Sequence, residues 1–414
     1  MQATRAEAEA RLIEFTPKMG KAYANGRNYD LGHGAHKSVS RLSPYIRRRL
    51  IREAEVVKTA LGTHGAVSAE KFIQEVIWRS YFKGWLEMRP AIWRSYVSGL
   101  EADMGALDPD RPLSRAYTRA IEGRTGIDCF DHWARELVET GYLHNHARMW
   151  FASIWIFTLR LPWRLGADFF YRHLLDGDAA SNTLGWRWVA GLHTRGKFYA
   201  AEAWNIAKFT QNRFTPRDVD LAVVTEGLEA TEPDGLPPTL PLRHPVAPQT
   251  GAKTLLLITD EDCGITGADI AGFDVGAVVG LTQSHLRHAS PDVVAFEAEA
   301  IRDCANRLGL TAEMVEARDP KLLAQMATRL GAVQIATPYI PQGPLFDWIT
   351  EARRPLEAAN IAFAEWCDPW DQRIWPHATA GFFKVREKIP RILAEAGLAE
   401  TGSAKTGLLK AGRA

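Results

Sequence analysis

The 48 residues from 141 to 188 constrain the fold of this chain more than any other stretch. They interleave five tryptophans with an arginine, two acids and two amides, namely Arg148, Asp176, Asp178, Asn145 and Asn182. These spacings recur on helical faces and predict helices with buried polar groups that need partners. A flat aromatic ligand with polar ring edges would supply such partners. Alternatively, Arg148 and Asp176 form a satisfied structural pair within an aromatic core.

Three motifs in order give this stretch a family context. They are SVSRLSPYI at residues 38–46, preceded by Tyr23 and Arg27; QEVIWRSYF at residues 74–82; and HNHARM at residues 144–149, followed by DGD at 176–178, Asn182 and GWRW at 185–188. Over residues 15–215 the chain resembles the FAD-binding domain of the photolyase/cryptochrome family, and within it the class I cyclobutane pyrimidine dimer photolyases. Three ordered motifs are a more specific signal than a single short pattern.

The resemblance implies FAD as the cofactor and assigns residues to its site. Serine hydroxyls ahead of a helix that begins near Ser43 form an anion site, which the resemblance assigns to the FAD diphosphate; a helix cap with nothing bound is the alternative. Val39 departs from the hydroxyl residue usual in the family. The residues expected around FAD are Tyr23, Lys37, Ser38, Ser40, Leu42, Ser43, Gln74, Arg79, Asn145, Arg148, Asp176, Asp178 and Asn182.

The resemblance also implies the residues that act on the lesion. The expected pocket for the pyrimidine dimer is formed by Glu75, Trp78, Arg79, Tyr142, Asn145, Met149 and Trp188. Glu75 would hydrogen-bond the dimer, although at i,i+4 it can also form a surface salt bridge with Arg79. Asn182 would face flavin N5. Tyr142 stands where tryptophan is common in this class.

Electron transfer to the flavin is the role implied for two further tryptophans, Trp186 and Trp163. The family's usual third tryptophan aligns near Asp110 and is missing. Tyr117 or another nearby tryptophan is a conceivable substitute.

The charges divide the chain into two unlike parts. Residues 1–217 contain 32 Lys and Arg against 22 Asp and Glu, and the remainder contains 18 against 27. A basic part favours a polyanionic partner, here DNA containing pyrimidine dimers, although solvated helix faces also account for such an excess. The arginines at 47, 48, 49 and 52 fit either interpretation, as a solvated face or as DNA phosphate contacts.

The second part of the chain has a different pattern. Seven prolines between residues 215 and 250 indicate a linker. Beyond it, apolar runs at 254–259, 275–281, 333–337 and 361–366 alternate with helical stretches near 290–308, 321–330 and 343–359, which predicts a doubly wound parallel sheet. The predicted boundaries are a helical FAD-binding domain at 1–217, a linker at 218–252, an α/β domain at 253–398 and a flexible tail at 399–414. The α/β domain weakly resembles the family's antenna domain, placed after the FAD domain as in a circular permutation, with an unknown chromophore or none.

These expectations combine into a function. The favoured hypothesis is a light-driven lyase that repairs cyclobutane dimers, with excited reduced FAD donating an electron to the flipped-out lesion. A cryptochrome-like photoreceptor without repair is the main alternative. A (6-4) photolyase is less favoured because the family's paired histidines appear as His144 and Asn145. Four widely spaced cysteines indicate neither a disulfide framework nor a metal site. The absence of a signal peptide or membrane span favours a soluble, cytoplasmic protein. A monomer is expected.

Overall fold

The computed structural model describes residues 1–398, so the predicted tail at 399–414 lies outside the described residues. Eleven α-helices form the described structure of the first part. In chain order, α1 to α11 are Arg5–Phe15, Lys21–Gly26, Ser43–Arg47, Glu53–Glu87, Pro90–Gly105, Arg111–Ile121, Asp128–Thr140, Asn145–Ser153, Trp163–His173, Ala179–Val189 and Ala203–Phe209. Short 3-10 turns lie at Thr16–Lys18, Asp218–Asp220 and Glu229–Thr231, and a π-helical turn at Ile154–Thr158 continues α8.

Local chemistry explains several of these boundaries. The Asp178 side chain accepts a hydrogen bond from the backbone N–H of Ser181 at 2.7 Å and so starts α10. Asp110 starts α6 in the same way through Leu113. The long α4 is broken at Gly65, whose φ of +67° and ψ of 165° are open to a residue without a Cβ.

The second part contains a five-stranded parallel sheet with the order β3-β2-β1-β4-β5. The strands β1 to β5 are Lys253–Thr259, Asp274–Thr282, Ala312–Glu316, Gln334–Pro338 and Ala362–Trp366. The helices α12 to α18 are Gly267–Ile270, Pro291–Arg307, Leu322–Leu330, Pro344–Ala358, Pro369–Ile374, Phe382–Arg386 and Ile389–Glu395, with a 3-10 turn at Trp375–His377. The predicted fold class, helical with a doubly wound α/β part, is confirmed. That its order is a permutation of the family's stays a prediction.

Successive side chains of β1 serve two cores. Leu256 and Ile258 join the core that is continuous with the helical part, whereas Leu255 and Leu257 face a second core on the other side of the sheet. This alternation follows from the two-residue period of a strand. One face of the sheet is therefore an extension of the helical core.

The helices after β5 return to the helical part. Both α16 and α17 pack against α4, and the indole of Trp370 donates to the Ser80 hydroxyl at 2.9 Å. The proline-rich segment also contacts both parts. Leu240 donates its backbone N–H to Met88 at 2.8 Å, and Arg243 pairs with Glu365 at the end of β5. The boundaries 1–217 and 253–398 stay predictions, since these segments join the two parts closely.

The arginine run at 47–49 lies neither on a solvated face nor on a surface open to DNA, so both sequence interpretations of these three residues are wrong. Arg47, Arg48 and Arg49 are at most 6% exposed. They point into the interface with the α/β part, where Arg49 pairs with Asp262 at 3.1 Å and with Asp371 at 2.5 Å. The physical reason is charge complementarity, because acids follow β1 and β5 at the sheet edge that faces α3. Much of the basic excess of the first part is thus matched internally.

No helix among residues 1–398 combines the length and apolar character required to cross a bilayer. The four cysteines are free thiols. Within the same residues, no group of three or more His, Cys, Asp and Glu side chains is arranged to hold a metal ion.

Candidate functional site

Three helices present partly accessible faces to a common region, although most of their other residues are buried. We define the cleft by these faces, which comprise Glu75, Trp78, Arg79 and Phe82 on α4, Asn145, Arg148 and Met149 on α8, and Ser181, Asn182, Gly185 and Trp188 on α10. The spacings are one or two turns, so each set lies along one side of its helix. Helix α10 packs against both α4 and α8, which brings the three faces together.

The carboxylate of Asp176 sits where the cleft helices converge. One guanidinium nitrogen of Arg148 lies 3.0 Å from each of its oxygens. Burial acts to raise the pKa of Asp176, but Arg148 and Arg79 lower it on balance, and the Ser43 hydroxyl adds a hydrogen bond. The predicted pairing of Arg148 with Asp176 is therefore present, and Asp176 is held ionised.

Asp178 is buried one turn ahead of the cleft residues on α10. Its carboxylate lies 3.4 Å from Lys83 Nζ and 3.7 Å from Arg47 Nε. Burial acts to raise its pKa, but Lys83 and Arg47 lower it well below the usual range. Asp178 was expected to contact the cofactor. The structure places it beneath the start of α10, as the cap of that helix.

The α4 and α10 faces of the cleft contain polar atoms without hydrogen-bond partners, and α10 borders open space. A Cβ built on Gly185 would meet no atom within 4 Å, although the flanking Leu184 and Trp186 are buried. The Ser181 hydroxyl and one guanidinium nitrogen of Arg79 are buried without a hydrogen-bond partner. Asn182 donates its side-chain N–H to the Ala167 carbonyl at 2.7 Å, which leaves its amide oxygen unpaired in the structure. Such groups beside a void are suited to a polar, planar ligand.

Glu75 forms an ion pair with Arg27, the residue directly after α2. The structure gives no pair between Glu75 and Arg79, so the i,i+4 surface salt bridge considered from the sequence is wrong. Arg27 was noted only as part of a motif. Arg27 lies four residues after Tyr23, so the two side chains share one helical face. That spacing was the only indication in the sequence that this face contacts α4. Tyr23 itself packs edge-on against Phe72, with ring centroids 5.1 Å apart.

Both aromatic walls expected for the lesion have a neighbouring ring. Trp78 is stacked on Phe382 of α17 with centroids 3.9 Å apart and 15° between the planes. Trp188 is stacked on Tyr199 at 5.8 Å. Since Trp78 and Trp188 remain partly accessible, each indole keeps area for a further contact. No local pattern predicts the contact with Phe382, which lies about 300 positions after Trp78 in the chain.

Tyr142, the third aromatic residue of the predicted lesion pocket, is buried between two arginine side chains. The guanidinium groups of Arg41 and Arg148 lie 5.2 and 5.8 Å from its ring centroid. Burial raises the pKa of Tyr142 to about 12. This ring is thus less accessible than the lesion pocket prediction requires.

The loop expected at the diphosphate lies before α3. Lys37 is exposed, and Ser40 accepts the backbone N–H of Leu42 at 3.3 Å. Leu42 is fully buried, and the Ser38 side chain fits against Gly26, where a Cβ would clash with it. Gln74 is also buried and donates to Glu70 at 2.8 Å. Lys37 therefore has a side chain open to an anion, whereas Leu42 and Gln74 are buried and Ser38 is half-buried against Gly26.

The two tryptophans expected to transfer electrons do not contact each other in the described residues. Trp186 meets Trp155 edge-on at 6.1 Å, and Trp155 meets Tyr117 at 6.1 Å. Trp163 instead packs on Tyr96 at 5.7 Å. The chain from Trp186 through Trp155 reaches Tyr117, the residue considered as a substitute for the missing third tryptophan.

A histidine pair missed from the sequence lies beside Tyr142. His36 is stacked on His144 at 5.1 Å, and both ring nitrogens of His36 are buried without a hydrogen-bond partner. Burial lowers the pKa of both rings, that of His144 to about 3. Both rings are therefore neutral at pH 7.

The residues present fit FAD as a ligand. The cleft offers open space at Gly185, polar atoms without a hydrogen-bond partner on Arg79 and Ser181, and an ionised acid at Asp176. The roles assigned to individual residues stay predictions.

Comparison with known proteins places this site in context. The sequence profile for the FAD binding domain of DNA photolyase matches residues 72–215. A deoxyribodipyrimidine photo-lyase of Streptomyces griseus is 36% identical over 182 residues, which are 43% of this chain and 38% of that protein. One from Thermus thermophilus is 35% identical over 193 residues, 45% of this chain and 42% of that protein. The chain thus spans about two fifths of the length of these relatives.

Two solved structures are also similar. A bacterial class III photolyase from Agrobacterium tumefaciens overlaps with a TM-score of 0.40 at 25% identity, covering 50% of this chain and 43% of the other. A Synechocystis cryptochrome overlaps with a TM-score of 0.41 at 24% identity, with the same coverage.

Proposed function

Residues 72–215 of this chain belong to the FAD-binding domain of the photolyase/cryptochrome family, and on that premise we propose that the protein binds FAD and uses light to split cyclobutane pyrimidine dimers in DNA. The relatives from Streptomyces griseus and Thermus thermophilus are named deoxyribodipyrimidine photo-lyases. When bound, FAD supplies the light-driven electron donor for ring opening.

One observation supports this proposal most strongly. Arg79 and Ser181 have polar atoms without a hydrogen-bond partner, and α10 has open space at Gly185, on helix faces that also present Glu75 and two tryptophans. A buried polar group without a partner costs free energy, so such groups are retained where a ligand satisfies them. In this arrangement Arg79, Arg148, Ser181 and Asn182 hold the cofactor.

The remaining residues of the cleft act on the lesion. Trp78 and Trp188 provide apolar surfaces for unstacked bases, which lowers the cost of taking a dimer out of the duplex. Glu75 supplies an acceptor, and it reaches the lesion only if its pair with Arg27 opens or the lesion bonds the second carboxylate oxygen. Asn145 and Met149 line the same side.

Illumination of the purified, reduced protein with single-stranded DNA containing a defined thymine dimer tests this function. The proposal requires loss of the dimer in blue light and none in the dark. A protein that binds FAD and leaves the dimer intact under light contradicts it.

A second function is favoured by specific contacts. The Glu75 carboxylate is already paired with Arg27, Tyr142 is buried, and one face of Trp78 is covered by Phe382. These contacts fit a cryptochrome-like photoreceptor that binds FAD without repair. The same illumination experiment separates the two, because only the lyase removes the dimer.

A further inference from the structure

Three consecutive acids form a turn directly after β1, and we call residues 260–262 the acidic turn. Asp260, Glu261 and Asp262 are at most 9% exposed. Each pairs with a cation of the helical part. Asp260 and Glu261 pair with Arg47 at 3.2 and 2.7 Å, and Asp262 pairs with Arg49 at 3.1 Å.

Glu261 differs from its two neighbours in reaching a second cation. One carboxylate oxygen meets Arg47, and the other lies 3.0 Å from Lys83 Nζ on α4. Burial acts to lower the pKa of Lys83, but Glu261 and Asp178 raise it on balance. Both cations therefore stay charged within a buried site.

The same two cations contact Asp178. Lys83 and Arg47 lie 3.4 and 3.7 Å from its carboxylate, and the Arg47 Nε donates to the carbonyl of Gly177 at 2.7 Å. Asp178 is the cap of α10, and its backbone carbonyl accepts from Asn182 at 2.9 Å. A continuous path of contacts thus runs from the acidic turn to the helix face with Ser181, Asn182 and Gly185.

Burial of so many charges makes this path sensitive to the loss of one member. An ion that loses its partner in a buried network leaves an uncompensated charge, and the remaining groups rearrange to shield it. Without Glu261, Lys83 keeps Asp178 as its remaining carboxylate, while Arg47 keeps both Asp260 and Asp178. Lys83 then draws the Asp178 carboxylate from the backbone N–H of Ser181. The first turn of α10 then moves relative to α4 and α8.

We propose that Glu261 is a positioning residue of the FAD site, acting from the α/β part through Lys83, Arg47 and Asp178 on the start of α10. This inference rests on the proposed function, since it takes the α10 face as part of the cofactor site. It gives the α/β part a role in the cleft that is independent of any antenna chromophore.

The test compares Glu261→Gln with Asp262→Asn in the full chain. Both variants remove one buried charge from the same turn. Glu261 pairs with Arg47 and Lys83, the two cations that contact Asp178, whereas Asp262 pairs with Arg49. The measurements are FAD affinity by fluorescence titration of the apoprotein and urea unfolding of the same apoprotein. We expect both variants to lose stability and Glu261→Gln alone to bind FAD about tenfold more weakly than the wild type.

Two further variants keep the test decisive. Glu261→Asp keeps the charge but shortens the reach to Lys83, and it is used if Glu261→Gln does not fold; it should also weaken FAD binding. In a Lys83→Met background, Glu261→Gln should weaken binding less than it does alone. If the wild type binds FAD and the Glu261 and Asp262 variants bind it equally well, the inference about Glu261 is overturned but FAD binding by the protein is not. A wild-type chain that binds no FAD would overturn both.

Discussion

The cleft and the interface between the helical and α/β parts both contain buried charges, but they treat them differently. At the interface, Arg47 and Arg49 each pair with several acids, and the Arg49 side chain has four carboxylates within 4 Å. In the cleft, Arg148 pairs with Asp176, and Gly185 borders open space. Buried polar atoms without a partner occur in both regions, on Arg79 and Ser181 in the cleft and on Arg48 and Asp371 at the interface. Dense ion pairing therefore identifies the surface where the chain docks on itself, and open space beside fewer ion pairs identifies where a ligand is expected.

The strongest test of this contrast removes the cleft's own ion pair. We expect the double variant Arg148→Ala/Asp176→Ala to purify without flavin, because the void then lacks the charges that orient the cofactor and the start of α8. Absorbance at 450 nm per folded protein measures retention. The matched control is Arg243→Ala/Glu365→Ala, a buried pair at the sheet edge, which should lose stability and keep its flavin. Full retention in the cleft variant would contradict the assigned site.

Sequence reasoning predicted the elements of the α/β part better than the interface. The four apolar runs became β1, β2, β4 and β5, and the three helical stretches became α13, α14 and α15. The edge strand β3 was missed because its sequence AEMVE contains no apolar run, and none of its five residues is fully buried. An edge strand requires less hydrophobic surface than a central one.

The interface was missed for a different reason. The run Arg47–Arg48–Arg49 was interpreted alone, although residues 260–262 form an acidic run directly after a buried strand. Two opposite runs of this kind predict a contact only once both are known to be buried, which local composition does not establish. The Phe382 contact with Trp78 has no local signal at all, since packing between distant segments decides it.

The next largest effect is expected at the interface. We predict that Arg49→Met lowers the free energy of unfolding by about 3–5 kcal/mol, because it leaves Asp262 and Asp371 buried without their cation. Urea denaturation followed by tryptophan fluorescence measures it. Arg94→Met, on the exposed side of α5, should change the stability by at most about 0.5 kcal/mol. Similar values for both variants would refute the buried network.

Adjacent phenylalanines of α17 allow a sharper comparison. Phe382 is 8% exposed and stacked on Trp78, whereas Phe383 is 57% exposed. Phe382→Ala should cost about 3 kcal/mol of stability through lost burial and stacking, and Phe383→Ala at most about 0.5 kcal/mol. Chemical denaturation of both variants checks this difference. If Phe382→Ala is as stable as Phe383→Ala, α17 does not pack on the cleft as described.

The smallest expected effect is a pH dependence of the interface. Burial raises the pKa of Glu297 to about 8, with a further contribution from Asp260. The folded state therefore binds a proton that the unfolded chain has lost, so stability falls as pH rises from about 4.5 to about 8. Glu297→Gln should remove this pH-dependent loss of stability. The change in Tm that the substitution causes should therefore be about 2 °C more positive at pH 8 than at pH 5.

His285 titrates in part of the same pH range. Its Nε2 lies 3.2 Å from the Glu297 carboxylate, and burial lowers its pKa to about 4, so its contribution to stability is lost as pH falls from about 6.5 to about 4. The comparison is therefore also made in a His285→Gln background, which removes the histidine component. If the difference in Tm between pH 8 and pH 5 is the same in wild type and Glu297→Gln, Glu297 is ionised in the folded protein.

We propose that this cleft repairs DNA with light. The direct measurement is the number of dimers repaired per absorbed photon, compared between the wild type and Glu75→Gln. The substitution keeps the size of the side chain and removes the charge that pairs with Arg27. We predict equal FAD content and at least about tenfold lower repair in the variant, because a preorganised group no longer faces the developing charge. Undiminished repair would remove Glu75 from the mechanism, and the absence of repair in the wild type would contradict the account itself.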